Sequence, residues 1–331
     1  MKDVLVTGAN GHVGYTLVEM LVERGYRVRA GMRNAGDARK SEHLRALGVE
    51  LVELDITRPE QIRAAVEGMA GIFHVAAVFQ IAGDPQAIIR PTVEGAMNIV
   101  RAAHHAGVQK IIYTSSGRAL GNSSPPGKPL DENSWNTRAR VPYSIAKTQA
   151  EQQVWQYAHQ HQLDLIAILP LLILGPNIHR LSESTAVVDN ILHGRYPVIP
   201  PIAVNIVDVR DVALAHLLAY ENPQANGRYI VGNEPVDLKE VFALVNEFQT
   251  VKIPALQLPK NAFVLYTDLT AWLAGLRGKN PQITPAQARE MTEGRRYVDI
   301  SKTEGELGMK LRSTREAIGA TVNWLQTHKI Q

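Results

Sequence analysis

Asp3-Val4-Leu5-Val6-Thr7-Gly8-Ala9-Asn10-Gly11-His12-Val13-Gly14 is a strand that runs directly into a glycine-spaced turn and then a helix. The first residues form a short β-branched run, and past the turn Val13, Leu17, Val18, Leu21 and Val22 recur at helical spacing. Glycine at such a turn lets the chain reverse tightly, lets backbone amides approach a pyrophosphate, and lets the helix pack on the strand; the helix amino terminus favours the negative charge. Gly8, Asn10, Gly11, His12, Val13 and Gly14 are therefore candidate cofactor-binding residues. The spacing differs from the commoner G-x-G-x-x-G, and glycines after a strand also serve plain turns, so the weight rests on where the turn lies.

It lies at the head of a β-α series. Further candidate strands are Arg27 to Met32, Val49 to Leu54, Ile72 to Ala76, Lys110 to Ser115 and Leu165 to Leu169, with helical stretches between them. This alternation predicts an α/β fold, a doubly wound parallel sheet of Rossmann type. After Pro170 the pattern is broken by Gly175-Pro176, Tyr196-Pro197, Pro200-Pro201 and Pro281. The expected division is a dinucleotide-binding domain over residues 1–169 and a smaller α/β substrate-binding lobe over residues 170–203 and 222–331. The piece from Val204 to Tyr220 reads strand then helix, so residues 204–221 are expected to return to the first sheet.

Composition narrows the chemistry. The chain has 331 residues, 45% hydrophobic and 20% charged, which fits an ordinary globular protein with a sizeable core. Its net charge of +3 is too balanced to suggest a nucleic-acid partner and suits a small phosphorylated ligand. With no cysteine, thiolate metal sites, disulfides and a cysteine nucleophile are excluded, and catalysis falls to oxygen and nitrogen groups. The most apolar run, Leu165 to Leu174, contains Pro170 and is far shorter than the roughly 20 residues of a membrane span. Met1 leads straight into the first strand without a leader, so the expected location is cytoplasmic, with no membrane partner.

The second strand ends Gly31-Met32-Arg33-Asn34. An enzyme preferring NAD usually places an acid there for the ribose hydroxyls. Here an arginine stands instead, and its planar fork of donors suits a 2′-phosphate; Lys40 adds a second charge. The expected cofactor is NADP(H). Asp55 and Ile56 after the third strand, Ala76 and Ala77 after the fourth, and Thr114 at the end of the fifth are supporting cofactor positions, since ligands of such sheets bind beyond the carboxyl ends of strands.

The fifth strand exits through Ser115-Ser116, and downstream Pro142-Tyr143-Ser144-Ile145-Ala146-Lys147 opens another helix. Residues four apart share a helix face, so Tyr143 and Lys147 address one ligand. A phenol with a pKa near 10 needs help to exchange protons at neutral pH, and a nearby ammonium lowers it by about 1 to 3 units. The expected constellation is Ser116 on the substrate oxygen, Tyr143 as proton donor and Lys147 on the nicotinamide ribose, a device for carbonyl reduction. A Tyr-Lys pair alone is common; its order after a glycine turn and a serine at a strand exit carries the reading.

With these residues in place the sequence resembles the extended short-chain dehydrogenases/reductases over nearly its whole length. Val207-Asp208-Val209-Arg210-Asp211-Val212-Ala213, Leu130-Asp131-Glu132 with Trp135, Lys147-Thr148 with Ala150-Glu151, Asn226-Gly227-Arg228-Tyr229-Ile230, and Val298-Asp299 through Leu307-Gly308 are similar to the dihydroflavonol reductase and cinnamoyl-CoA reductase branch. Arg33 and Lys40 match that branch's NADPH-binding residues. The resemblance implies Ser116, Tyr143 and Lys147 as catalytic, and Pro170 with Leu172 shaping the nicotinamide pocket. Four features depart from it. The stretch between Trp135 and Tyr143 is shorter than in the plant reductases, Arg118 stands where the family more often has something small, Ala146 replaces a serine and Leu169 an arginine. Arg118 either enters the active site or folds away from it.

Phe79, Trp135, Ile178 and His179 are candidate substrate-lining residues, each equally suited to plain packing. The histidines, including His104-His105 and His159 with His161, read as solvated helix residues and no metal site is expected. The segment from Phe263 to Leu276 is amphipathic and reads as core packing. Three functions follow in order of fit. The first is an NADPH-dependent reductase of an aldehyde or ketone, reversibly an alcohol dehydrogenase. The second is an NDP-sugar epimerase or dehydratase with the same triad, needing cations such as Arg180, Arg195 or Arg210 for a pyrophosphate. The third is a non-catalytic NADPH sensor. The substrate partner is a small carbonyl compound or alcohol, and the protein is expected to be a monomer or a homodimer pairing helices within Ile88 to His105 and Tyr143 to Ala158.

Overall fold

A computed structural model describes residues 2–77, 85–125, 127–276, 278, 281, 283–328 and 330. The chain alternates through β1 (Asp3–Thr7), α1 (His12–Glu23), β2 (Arg27–Met32), α2 (Ala38–Ala46), β3 (Glu50–Glu53), α3 (Pro59–Val66), β4 (Gly71–His74), α4 (Gln86–His105), β5 (Lys110–Thr114), α5 (Pro142–His161) and β6 (Leu165–Pro170). Each expected strand is present, with ends moved by one or two residues where the chain turns into a crest loop. The remainder comprises β7 (Leu172–Leu174), α6 (Glu183–Leu192), β8 (Ala203–Asp208), α7 (Val209–Glu221), β9 (Gly227–Val231), β10 (Pro235–Asp237), α8 (Leu238–Phe248), α9 (Lys260–Leu276), α10 (Pro285–Met291), α11 (Ser301–Leu307) and α12 (Thr314–Thr327).

The main sheet is parallel, ordered β3-β2-β1-β4-β5-β6-β9, so β1 sits between β2 and β4. The order reverses there, and the carboxyl ends of β1 and β4 open the crevice in which such sheets bind ligands. Val4, Leu5 and Val6 are fully buried, as a central parallel strand covered on both faces requires. On one face α1 and α7 close a core around Leu17, Leu21, Val212 and Leu217. On the other, α3, α4 and α5 close a second core around Ile62, Ile99, Val100 and Val154.

Residues 204–221 return only in part. The helix α7 packs on the main sheet, but β8 pairs with β7 and β10 in a separate three-stranded sheet. The place beside β6 is already taken by β9, whose Val231 carbonyl accepts from Leu171 N at 3.0 Å. The seventh strand of the sheet thus comes from Gly227–Val231, within the stretch assigned from sequence to the other lobe. The second sheet, with α6, α8 and α12, encloses a third core of Leu174, Ile206, Val241 and Ile318.

The reading of the 263–276 segment as core packing is corrected. Only Phe263 and Thr267 of α9 are buried, while Leu265, Leu269, Trp272 and Leu276 face outward. Among the described residues no helix is long and apolar enough to cross a membrane.

Candidate active site

At the end of β1, Thr7 Oγ1 accepts from Ala76 N at 3.0 Å and bonds His74 Nδ1 at 2.8 Å, drawing the exits of β1 and β4 together. The turn that follows tolerates only glycine at two points. Gly8 has φ +66°, and a Cβ there would lie 2.8 Å from Ala76 Cα; a Cβ on Gly14 would lie 2.2 Å from the Gly8 carbonyl oxygen. Gly11 donates to Gly8 O at 2.9 Å and precedes α1 without any side-chain cap. The first-turn amides are therefore available to an anion, which is the donor set a dinucleotide pyrophosphate needs. Ala9 and Val13 are buried beneath the turn, Asn10 is half-buried, and Ala77 beyond Ala76 is exposed. His12 faces the second lobe: its Nε2 donates to Pro176 O at 2.7 Å, and burial lowers its pKa to about 4, leaving the ring neutral.

Arg33 is exposed just past β2. Lys40, expected to add a second free cation there, is paired with Asp37 at 3.1 Å, one helical turn away. Asp55 is engaged by its own loop, its Oδ1 accepting from Thr57 N at 2.9 Å and Thr57 Oγ1 at 2.7 Å. Burial opposes its ionisation, but these bonds and the Arg33 charge hold the carboxyl below its ordinary value. The Ile56 side chain packs where a Cβ on Gly95 would be, 2.5 Å from its Cδ1.

On the other side of the crevice, Ser116 follows β5 and its Oγ accepts from Arg118 N at 3.2 Å, capping a short 3-10 helix over Gly117–Ala119. Pro142 opens α5, which sets Tyr143 in the first turn with its phenol hydrogen-bonded to Ser116. One turn further, Lys147 Nζ donates to Thr114 O at 3.1 Å. Thr114 is itself held: His216 Nδ1 donates to Val212 O at 2.7 Å, which leaves Nε2 to accept from Thr114 Oγ1 at 2.7 Å. Pro170 closes β6 against Val231, and Leu172 opens β7 half-buried.

The electrostatics differ from the expectation in one respect. Burial raises the Tyr143 pKa; the Ser116 hydrogen bond and the Arg118 charge act against it, and Glu183 acts with it. The charge of Arg118 acts to lower the phenol's pKa; the Lys147 ammonium donates to the Thr114 carbonyl, and burial lowers its own pKa to about 8. Arg118 accordingly turns toward the site, its Nη1 3.4 Å from Glu290 Oε1.

Sequence reasoning missed Glu290. It is buried at the end of α10, where Oε2 accepts from Arg140 N at 3.0 Å and Val141 N at 2.9 Å, and Oε1 from Ser144 Oγ at 2.6 Å. One carboxylate from the second lobe thereby satisfies the amides just ahead of the helix that carries Tyr143 and Lys147. No local spacing announces it, because its partners lie about 150 positions away in the chain. Glu151 and Arg228 were noticed only within family-like segments. They form a buried pair at 2.7 Å, with Ser115 Oγ on the same carboxylate at 2.5 Å.

Of the substrate-lining candidates, Phe79 lies outside the described residues. Trp135 is covered by Arg228, whose Cζ is 4.0 Å from its ring centre. Ile178 is buried and its carbonyl accepts from Trp324 Nε1 at 3.0 Å; His179 stacks on His43 at 4.0 Å. These contacts join α1, α2 and α12, so Ile178 and His179 serve packing between lobes. The histidines of α4 and α5 also meet, His104 lying 4.7 Å from His161 between ring centres and 3.0 Å from Tyr157 Oη. Leu169 and Ala146 are fully buried, which accounts for apolar residues at both positions.

The model of the NAD dependent epimerase/dehydratase family matches residues 4–232. The chain belongs to that family. The match spans β1 to β9, and with it the glycine turn, Tyr143 and Lys147; Glu290 lies beyond it. Cinnamoyl-CoA reductase 1 of Arabidopsis thaliana is 31% identical, covering 98% of this chain and 89% of its own. Dihydroflavonol 4-reductase of Callistephus chinensis is 32% identical over 74% of this chain and 72% of its own. The crystal structure of gox2253 superposes with a TM-score of 0.85 at 31% identity, covering 99% of each chain. The resemblance to extended short-chain dehydrogenases/reductases, and to this branch of them, is borne out. As an epimerase/dehydratase family member with this sheet order, the chain carries its dinucleotide crevice between β1 and β4.

Proposed function

We propose that the protein is an NADPH-dependent reductase of an aldehyde or ketone, reversibly an alcohol dehydrogenase. The observation that carries the reading is the phenol of Tyr143 hydrogen-bonded to Ser116, with Lys147 one turn along the same helix on the Thr114 carbonyl. The turn at Gly8 to Gly14 would hold the pyrophosphate, Arg33 the 2′-phosphate, and Lys147 the nicotinamide ribose. NADPH, when bound, supplies the hydride. Ser116 and Tyr143 grip the carbonyl oxygen, and Tyr143 gives it a proton as negative charge develops there. The raised pKa keeps the phenol protonated, as an acid acting on a carbonyl requires. Two of the three arginines that could serve a nucleotide-sugar pyrophosphate are occupied, Arg195 by Asp189 at 2.6 Å and Arg210 by Asp208 at 2.7 Å, which favours the reductase over the epimerase reading.

The test is loss of NADPH absorbance with a panel of aliphatic and aromatic aldehydes and ketones, run beside NADH. Turnover preferring NADPH is expected, and Tyr143→Phe should lower kcat by about 100-fold or more. Undiminished turnover in that variant would refute the proton-transfer role, and absence of turnover with every carbonyl would return weight to the nucleotide-sugar reading.

A further inference from the structure

Ser116 leaves β5, while Tyr143 and Lys147 lie on the first two turns of α5, so the Ser116–Tyr143 contact depends on how those two elements are held together. Glu151 stands four residues beyond Lys147 and eight beyond Tyr143, which puts all three on one face of α5. It is fully buried, and its Oε2 accepts from Ser115 Oγ at 2.5 Å, one residue before Ser116. Ser115 is fixed from the sheet side as well, its N donating to Ile168 O at 2.8 Å. The carboxylate has no freedom to turn away. Arg228 Nε donates to Oε1 at 2.7 Å and Nη2 to Oε2 at 3.3 Å, a fork that meets both oxygens, and Trp155 Nε1 donates to Oε1 at 3.2 Å. The guanidinium is itself immobile: Nη1 donates to the carbonyls of Glu132 and Ser134, and Cζ lies 4.0 Å from the centre of the Trp135 ring.

Such a cluster is not needed merely to join α5 to the sheet. Ala150, Val154 and Ala158 of the same helix do that with apolar surface, and a buried ion pair gains little over well-packed apolar side chains. What the cluster adds is direction, because a hydrogen bond holds donor and acceptor at one distance and angle while apolar contact permits sliding. The carboxylate also bears on Lys147. Burial lowers that pKa to about 8, and the Glu151 charge opposes the fall and so favours the ammonium. We propose that Glu151 and Ser115 are positioning residues for the triad: their hydrogen bond sets the reach of Ser116 to the Tyr143 phenol, and Arg228 holds Glu151 in the conformation that makes it. The inference rests on the reductase reading of the same site and deepens it. Both residues act through Ser116, Tyr143 and Lys147 rather than on the carbonyl.

The experiment compares the full chain with Ser115→Ala, Ser115→Thr and Arg228→Lys, each with NADPH and the panel carbonyl that the parent chain reduces fastest. A second readout does not depend on turnover. Tyrosine isotope-labelled at Cζ and followed by NMR reports hydrogen bonding at each phenol, and the Tyr143 signal is identified by its loss in Tyr143→Phe. Misplacement by about an ångström costs on the order of a hundredfold, so Ser115→Ala should lower kcat roughly ten- to a hundredfold and move the Tyr143 signal while the NADPH dissociation constant stays unchanged. Ser115→Thr keeps the hydroxyl and should restore both. Arg228→Lys keeps the charge but gives up the fork, and should lower kcat and move the same signal. A lower melting temperature in Ser115→Ala with kcat and the Tyr143 signal intact would make the cluster purely structural and overturn the proposal, as would equal losses of kcat and NADPH binding. If the parent chain reduces no carbonyl, the reductase reading fails by itself, and the signal still decides: a shift in Ser115→Ala supports the positioning role, and an unmoved signal overturns it.

Discussion

Arg33 stands alone at the end of β2 where an acid would select NAD, and the cation expected to help it, Lys40, is already paired with Asp37. The proposed preference for a 2′-phosphate therefore rests on one exposed guanidinium. Losing its charge-assisted bonds, about 1.5 to 3 kcal/mol, should weaken NADPH binding in Arg33→Ala by roughly ten- to a hundredfold and leave NADH binding nearly unchanged. Fluorescence titration with both nucleotides decides it, and equal weakening of the two would remove the assignment. At this scale the sequence was highly legible. Gly8, Gly14, Tyr143 and Lys147 owe their placement to spacing within a single turn or helix, which the chain carries in its own order. The pairing of Arg118 with Glu290 was not legible, because the two residues lie 172 positions apart in the chain.

Among the elements, α5 is the one whose placement decides chemistry. Its first residues have no side-chain cap of their own, and Glu290 from α10 supplies the missing acceptor to the amides of Arg140 and Val141. Glu290→Gln puts an NH2 group where a carboxylate oxygen accepted, and is expected to lower unfolding stability by about 1 to 3 kcal/mol. If Glu290 positions Tyr143, kcat falls in this variant while the NADPH dissociation constant stays put; a lower melting temperature with intact kcat would make the clamp purely structural. The strand Ala203–Asp208 illustrates the limit of reading elements one at a time. Its pattern correctly marked a strand, yet its sheet was decided by which neighbour was free, and β9 had already closed the edge of β6.

Across the whole molecule, the buried pair of Arg228 and Glu151 ties the seventh strand to α5 and to the loop after β5. Arg228 Nη1 donates to Glu132 O at 2.8 Å and Ser134 O at 2.7 Å, while Glu151 also accepts from Trp155 Nε1 at 3.2 Å. Removing one partner leaves an unmatched buried charge, so Arg228→Ala should cost about 3 to 5 kcal/mol of stability. Replacing both, Arg228→Met with Glu151→Leu, should recover part of that loss in denaturant titrations. A double variant no more stable than the single one would show that the backbone bonds of Arg228, not its ion pair, hold the loop.

The α/β alternation, the glycine turn and the Ser116, Tyr143 and Lys147 order were all present in the linear chain, since parallel sheets are written as buried runs and helical periods that follow one another. Tertiary packing alone brought Glu290 and Arg118 together and sent Ile178 and His179 to the seam between lobes. Contacts between residues more than a hundred positions apart leave no periodicity to read, because they are set by which faces remain to be covered once each local element has formed.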